Sequence, residues 1–232
     1  MIVLAIETAT QTGSVALLVD DALYEESLSE DQTRSGEILF AAERCFQAAG
    51  LAPTQCDAIA VGRGPGSFTG LRVGMGVAQG IAYGIDRPVI PVSSLRALAQ
   101  ACPGGPVLVL LDARMQEVYW GCFAPDTEGW MQPIGAERVS APEAVVLAAE
   151  TPQPWSVAGN GWARYGDRFS TLLNSISDKS CDAVQPRARE IARLGAYSLS
   201  QGIAVSPLTA YPEYLRNEVV KKRGSGPANT ER

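Results

Sequence analysis

Short apolar runs along this chain alternate with stretches of helical period. Ile2 to Ile6 is apolar and ends at Glu7, and a polar turn from Thr8 to Gly13 leads into a second run, Ser14 to Val19. Asp20-Asp21 then turns the chain into Leu23-Tyr24-Glu25-Glu26. The opening therefore predicts two or three antiparallel strands joined by tight turns. From Ser35 to Ala49 the apolar positions Ile38, Leu39, Ala42, Cys45, Phe46 and Ala49 recur at helical spacing, with Ser35 placed to cap the helix and Gly50 to end it. Ala58-Ile59-Ala60-Val61 reads as a buried strand, Gly62 to Gly66 as a loop, Thr69 to Ile85 as a second helix and Pro88 to Val92 as another strand. Strand, helix, strand, helix, strand in that order gives a βαβ unit with a parallel part to its sheet.

Ser94 to Ala101 starts a short helix, and Cys102-Pro103-Gly104-Gly105-Pro106 cannot continue regular structure. A lobe boundary falls there, giving a first lobe over 1–103, a shorter second lobe over 104–207 and a C-terminal segment over 208–232. The second lobe repeats the opening of the first: an apolar strand (Val107 to Leu111), an acid (Asp112), a turn, and another strand (Val118 to Phe123). Ala141 to Ala149 predicts a short helix, Trp155 to Gly159 a strand entering a glycine turn, and Arg189 to Leu199 a helix ended near Gly202.

The helix over 69–85 is unusual. Gly70, Gly74 and Ala78 lie four apart, and so do Gly76, Gly80 and Gly84. An interior helical glycine costs about 1 kcal/mol relative to alanine, so close backbone approach to a neighbour must compensate. One row can lie on the chain's own sheet and leave the other for a second helix, from this chain or another. The sequence leaves open which row does which.

Composition narrows the chemistry. The chain has 232 residues, 46% hydrophobic and 19% charged, with a net charge of −6. That is globular composition, long enough to bury a core without disulfide or metal. An acidic chain is a poor stand-alone nucleic-acid binder, because phosphate neutralisation dominates such affinity. The one dense basic run, Lys221-Lys222-Arg223, precedes Gly224-Ser225-Gly226-Pro227 and reads as a frayed tail or a partner contact. The start has no export-type segment, and the mild apolar stretch from Leu71 to Val92 is broken by charges and glycines, so a cytoplasmic protein without a membrane span is expected. Five cysteines with no C-x-x-C pair read as buried, reduced thiols.

There is no histidine. That removes the commonest general base and metal ligand, and with them any Ser-His or Cys-His nucleophile pair. A protease reading built on Ser67 or Thr69 lacks its base. The loop Gly62 to Gly70 is either a tight structural turn or an anion-binding turn at a helix N-terminus; it is neither a Walker A loop nor a dinucleotide fingerprint. Glu7 and Asp112 end corresponding strands. They either cap turns or face a cleft that holds a metal–nucleotide complex. Gly159-Asn160-Gly161-Trp162 is either a hairpin turn or a loop approaching an adenine-like ring.

Val61-Gly62-Arg63-Gly64-Pro65-Gly66-Ser67-Phe68-Thr69-Gly70-Leu71-Arg72 is similar to the signature segment of the TsaB (YeaZ) family. Leu4 to Thr10, Val92 to Leu95, Leu111 to Tyr119 and Tyr214-Leu215-Arg216 resemble that family as well, so the likeness spans the chain. It implies an α/β, actin-like ATPase (ASKHA, ribonuclease H-like) fold of two related lobes, with mixed sheets flanked by helices. It also implies a relationship to TsaD, the catalytic paralogue. Where TsaD carries a His-x-x-x-His metal motif, this chain has Ser94 and Leu98, so the resemblance implies no metal, no cofactor and no catalytic residue. It implies pairing with TsaD through the two helices beside the glycine loop, with Ile38, Ala41, Cys45, Gly70, Leu71, Gly74, Val77 and Ala78 as interface candidates. TsaE, an ATPase, joins the pair; tRNA is met only indirectly, and the chain forms a homodimer when TsaD is absent. Glu7, Asp112 and Gly159 would line a vestigial nucleotide cleft. A rival reading makes the chain a true ATPase or small-molecule kinase, with Glu7 and Asp112 facing a metal and Gly62–Ser67 and Gly159–Gly161 as nucleotide loops.

Overall fold

The computed structural model describes residues 1–28, 35–102, 104–148, 154–169, 172 and 176–216; the basic run at 221–223 lies outside them. Two mixed sheets form the frame. The first is built from β1 (Ile2–Glu7), β2 (Ser14–Val19), β3 (Ala22–Ser27), β4 (Ala58–Gly64) and β5 (Val89–Ser93), in the order β3-β2-β1-β4-β5. β1 pairs antiparallel with β2 and parallel with β4. The second comprises β6 (Val107–Asp112), β7 (Val118–Pro125), β8 (Met131–Pro133), β10 (Trp155–Ala158) and β11 (Ile176–Ser180), in the order β11-β10-β6-β7-β8, with β9 (Arg138–Ser140) also on β7. Here β6 runs antiparallel to β7 and parallel to β10. The repeated strand–acid–turn–strand pattern is thus one topology used twice.

Helices cover both faces of the first sheet. α1 (Ser35–Ala49) and α2 (Phe68–Gly84) lie over Leu4, Ile6, Val15, Leu17, Ile59 and Val61. Gly50, with a φ of +67°, ends α1 as its sequence predicts. Because side chains alternate along a strand, Val3, Ala5, Ala16, Ala58 and Ala60 face the other way, against α5 (Ala188–Ser200). These side chains are mostly alanines, so α5 sits close: a Cβ on Gly195 would lie 2.6 Å from that of Ala60. α5 therefore belongs to the first sheet, which corrects the expected span of 104–207 for the second lobe. Its apolar stripe fits either sheet, and the non-local connection decides. α3 (Ser94–Gln100) lies between the lobes, with Ala97 toward the first sheet and Leu95, Leu98 and Ala99 in the core of the second.

Other expectations change too. The helix expected over Ala141 to Ala149 is a single 3₁₀ turn at Pro142–Ala144, and residue 149 lies outside the described set. The glycine turn after β10 is no hairpin; it opens the short helix α4 (Asn160–Tyr165). Cys102 and Cys181 are joined in a disulfide, while Cys45, Cys56 and Cys122 are free and buried. The C-terminal segment returns to the first lobe. Val205 bridges the edge strand β5 at Val89, the Gln79 amide donates to the carbonyls of Pro207 (2.7 Å) and Ala210 (3.1 Å), and Ala210 is buried.

Glu190 sits in the first turn of α5, 6% exposed. Burial pushes its pKa from 4.5 up to about 7, against the pull of Arg189 and Arg193. The folded pKa exceeds the unfolded one. Stability present below pH 4.5 is therefore lost as pH rises through about 7. Glu190→Gln is expected to gain roughly 2 kcal/mol at pH 8 and almost nothing at pH 4.5, read from urea denaturation at the two pH values.

Candidate functional site

The loop between β4 and α2 is pressed onto the end of β1. The Ser67 N–H donates to the Ala9 carbonyl at 2.7 Å, the Ser67 hydroxyl caps α2 by accepting from the Gly70 N–H at 3.3 Å, and the Thr8 hydroxyl donates to the Gly70 carbonyl at 2.8 Å. A Cβ on Gly70 would lie 2.0 Å from the Thr8 carbonyl oxygen, and one on Gly74 would lie 2.2 Å from Thr8 Oγ1. Gly76, Gly80 and Gly84 have nothing within 4 Å. The row Gly70/Gly74/Ala78 thus lies on the chain's own sheet, and the row Gly76/Gly80/Gly84 faces outward.

This relocates the surface that the two helices present. Ile38, Ala41, Cys45, Gly70, Leu71, Gly74, Val77 and Ala78 are all buried in the chain's own interior. The small, apolar stripe that marks them is the stripe their own core needs. The large apolar side chains that the helices expose are Leu39 (49%) and Phe40 (57%) on α1, Tyr83 (71%) beside the outward glycines on α2, and Phe68 at the start of α2. A Leu-Phe pair continuing the apolar run past Ile38 was the sequence signal for this face.

A cleft of about 560 Å³ opens between the lobes. Of Glu7, Asp112 and Gly159, Asp112 alone lines it, and the two loops of the rival reading contribute Pro65, Gly66, Ser67 and Asn160. Glu7 is fully buried; its carboxylate accepts from the Ala9 N–H at 2.5 Å and the Ser94 hydroxyl at 2.8 Å. Desolvation raises its pKa, and Gly62 packs so closely that a Cβ there would lie 2.3 Å from Glu7 Oε2. Gly159, at φ +96°, backs onto the Leu110 carbonyl, 2.1 Å from an added Cβ. Asp112 accepts from the Arg114 N–H (3.0 Å) and the Tyr165 hydroxyl (2.9 Å) and lies 3.4 Å from Arg164. Both acids thus tie down turns. Ser94 is committed to Glu7, and Leu98 is fully buried between the lobes. Among the described residues, no three His, Cys, Asp or Glu side chains are grouped to hold a metal ion.

Other cleft residues lie in segments that carry the family likeness, without a role assigned from sequence. Arg114, Met115 and Gln116 are successive left-handed residues at φ of 61°, 52° and 62°, each costing about 1 kcal/mol. Arg216 holds this turn by donating to the Ala113 carbonyl at 3.2 Å and to Glu117. At the cleft mouth the Arg72 guanidinium stacks 3.4 Å over Phe68, whose ring centre lies 5.4 Å from that of Tyr214. The strap formed by 203–216 therefore runs along α2 and ends on the second lobe.

Comparison with known proteins matches this architecture. The family model described as TsaD, tRNA N6-adenosine threonylcarbamoyltransferase, matches residues 31–223. The tRNA threonylcarbamoyladenosine biosynthesis protein TsaB of Haemophilus influenzae is 36% identical, covering 96% of this chain and 97% of that protein. TsaB of Escherichia coli is 34% identical, covering 97% and 99%. The solved structure of YeaZ from Pseudomonas aeruginosa superposes with a TM-score of 0.79 at 33% identity, covering 92% of this chain and 99% of that one. The fold is the actin-like, ribonuclease H-like one that the resemblance implied. Alike in sequence, length and backbone to those proteins, the chain belongs to the TsaB (YeaZ) family of tRNA threonylcarbamoyladenosine biosynthesis proteins.

Proposed function

We propose that this chain is the non-catalytic partner of TsaD in the cytosol, where TsaD transfers the threonylcarbamoyl group to N6 of adenosine 37 in tRNAs that read codons beginning with A. The observation that supports this is the outward row Gly76/Gly80/Gly84 with the exposed Tyr83 on α2, and the exposed Leu39 and Phe40 on α1, the helix that packs against α2. A glycine-lined helix face flanked by bare apolar side chains suits a helix of another chain. The acids that could have served a reaction are spent on turns. In this reading TsaE joins the pair, tRNA is met only through TsaD, the same face forms a homodimer when TsaD is absent, and the chain needs no cofactor.

Reconstitution tests it. TsaD with this chain, TsaE, ATP, a threonylcarbamoyl donor and tRNA transcript is expected to form the modified base; omission of this chain should reduce it at least tenfold. Modification by this chain alone, with TsaD absent, would overturn the reading. The interlobe cleft keeps the ATPase or kinase alternative in view. Micromolar Mg-ATP binding to the isolated chain, lost in Asp112→Asn, would favour that alternative.

A further inference from the structure

Two of the chain's passages between its lobes lie side by side. The outgoing one runs from the C-terminus of α3 through Cys102 and on to Gly104, Gly105 and Pro106, where β6 begins; Gly104 and Gly105 have φ of +92° and +153°. The returning one runs from the end of β11 through Cys181 to Arg187, where α5 begins on the first sheet. The second lobe holds the start of the return segment: the Cys181 N–H donates to the Val157 carbonyl and the Gly159 N–H to the Ala183 carbonyl, each at 2.9 Å. The first lobe holds its end, where Gln185 Oε1 accepts from the Thr10 and Thr12 hydroxyls and the Ala188 N–H donates to Ser14 Oγ at 2.8 Å. Between these anchors the segment passes from one lobe to the other. Cys102 and Cys181 stand with their Cα atoms 5.7 Å apart, one on each crossing, 79 residues apart in sequence.

A second cavity, of about 600 Å³, lies along the returning segment. Ala101, Asp182 and Ala183, the neighbours of the two cysteines, are among its walls. Cys102 itself is buried, and Cys181 is half-buried. The other three thiols lie in the cores, and burial pushes Cys45 and Cys56 up to about 11.

We infer that Cys102 and Cys181 form a reversible redox clamp across the two crossings, closed by exchange with a low-molecular-weight disulfide that enters through the second cavity. The Cys181 thiolate attacks one sulfur of the small disulfide and releases one small thiol. The Cys102 thiolate then attacks the Cys181 sulfur of the mixed disulfide and releases the second. The two protein thiols give up two protons and two electrons in all, and the small disulfide becomes two thiols. Closed, the bond ties the outgoing crossing to the returning one and fixes the lobes; open, the returning segment is free to flex.

The full-length chain is equilibrated with oxidised glutathione or with dithiothreitol, and free thiols are blocked before digestion. A peptide pair linking Cys102 to Cys181 is expected after oxidation, with Cys45, Cys56 and Cys122 recovered unlinked. Oxidation should raise the melting temperature by about 5–10 °C, as expected for closure of a loop this long. Amide hydrogen exchange at 181–187 should slow at least about threefold. Cys102→Ser and, separately, Cys181→Ser should abolish both changes, and one soluble variant is enough for the comparison. Two results overturn the inference: glutathione mixed disulfides in place of the linked pair, or a linked pair with exchange at 181–187 unchanged.

Discussion

Alanine at Gly70 is expected to cost at least about 3 kcal/mol of folding stability, although alanine is the better helix former. The added Cβ would lie 2.0 Å from the Thr8 carbonyl oxygen, a backbone atom that cannot rotate away. Relief requires α2 to lift from β1 by an ångström or more. That movement breaks the hydrogen bond from Thr8 Oγ1 to the Gly70 carbonyl and pulls on the bond from the Ser67 N–H to the Ala9 carbonyl. The propensity gain of about 1 kcal/mol is outweighed. Gly80→Ala is the control: nothing lies within 4 Å of its added Cβ, so it should stabilise by up to about 1 kcal/mol. Urea midpoints of the two variants separate the rows, and a Gly70→Ala midpoint equal to that of the unmodified chain would disprove the packing argument. By the same reasoning Gly74→Leu, 2.2 Å from Thr8 Oγ1 at its Cβ alone, cannot serve as a folded probe of partner binding.

Local pattern carried most elements. α1 falls on Ser35–Ala49 because its apolar positions keep a helical period between a capping serine and Gly50. β1, β2, β4 and β6 fall on the apolar runs that predict them. Three things were not legible. Which glycine row of α2 faces inward depends on how the helix rolls on β1, and both rows have the same spacing in sequence. That α5 joins the first sheet depends on a connection of 181–187 long enough to reach either lobe. The pairing of Cys102 with Cys181 depends on two crossings brought together by the whole fold. The interface candidates are small and apolar, and a helix buries its apolar stripe on its own core first. The apolar positions it leaves exposed are those that break amphipathicity, such as Phe40 and Tyr83.

Gly80→Leu should therefore leave the isolated chain folded and weaken TsaD binding at least about 100-fold, close to 3 kcal/mol. The leucine has open space around it and suits a helix, so the denaturation midpoint should not fall. The partner experiences the change. Where Gly76 and Gly80 leave α2 without side chains, a facing helix can approach to roughly 8 Å between axes. A leucine at the middle of that row holds it off and strips the contacts around Tyr83, which adjoins the row and is expected to carry a large share of the binding energy. Titration calorimetry with TsaD measures the affinity, and sedimentation of the chain alone measures self-association; under the proposal that one face serves both, the two should weaken together. A Gly80→Leu chain that binds TsaD as tightly as the unmodified one would remove the outward face of α2 from the interface and leave the cleft mouth, with Phe68, Arg72 and Tyr214, as the surface to test.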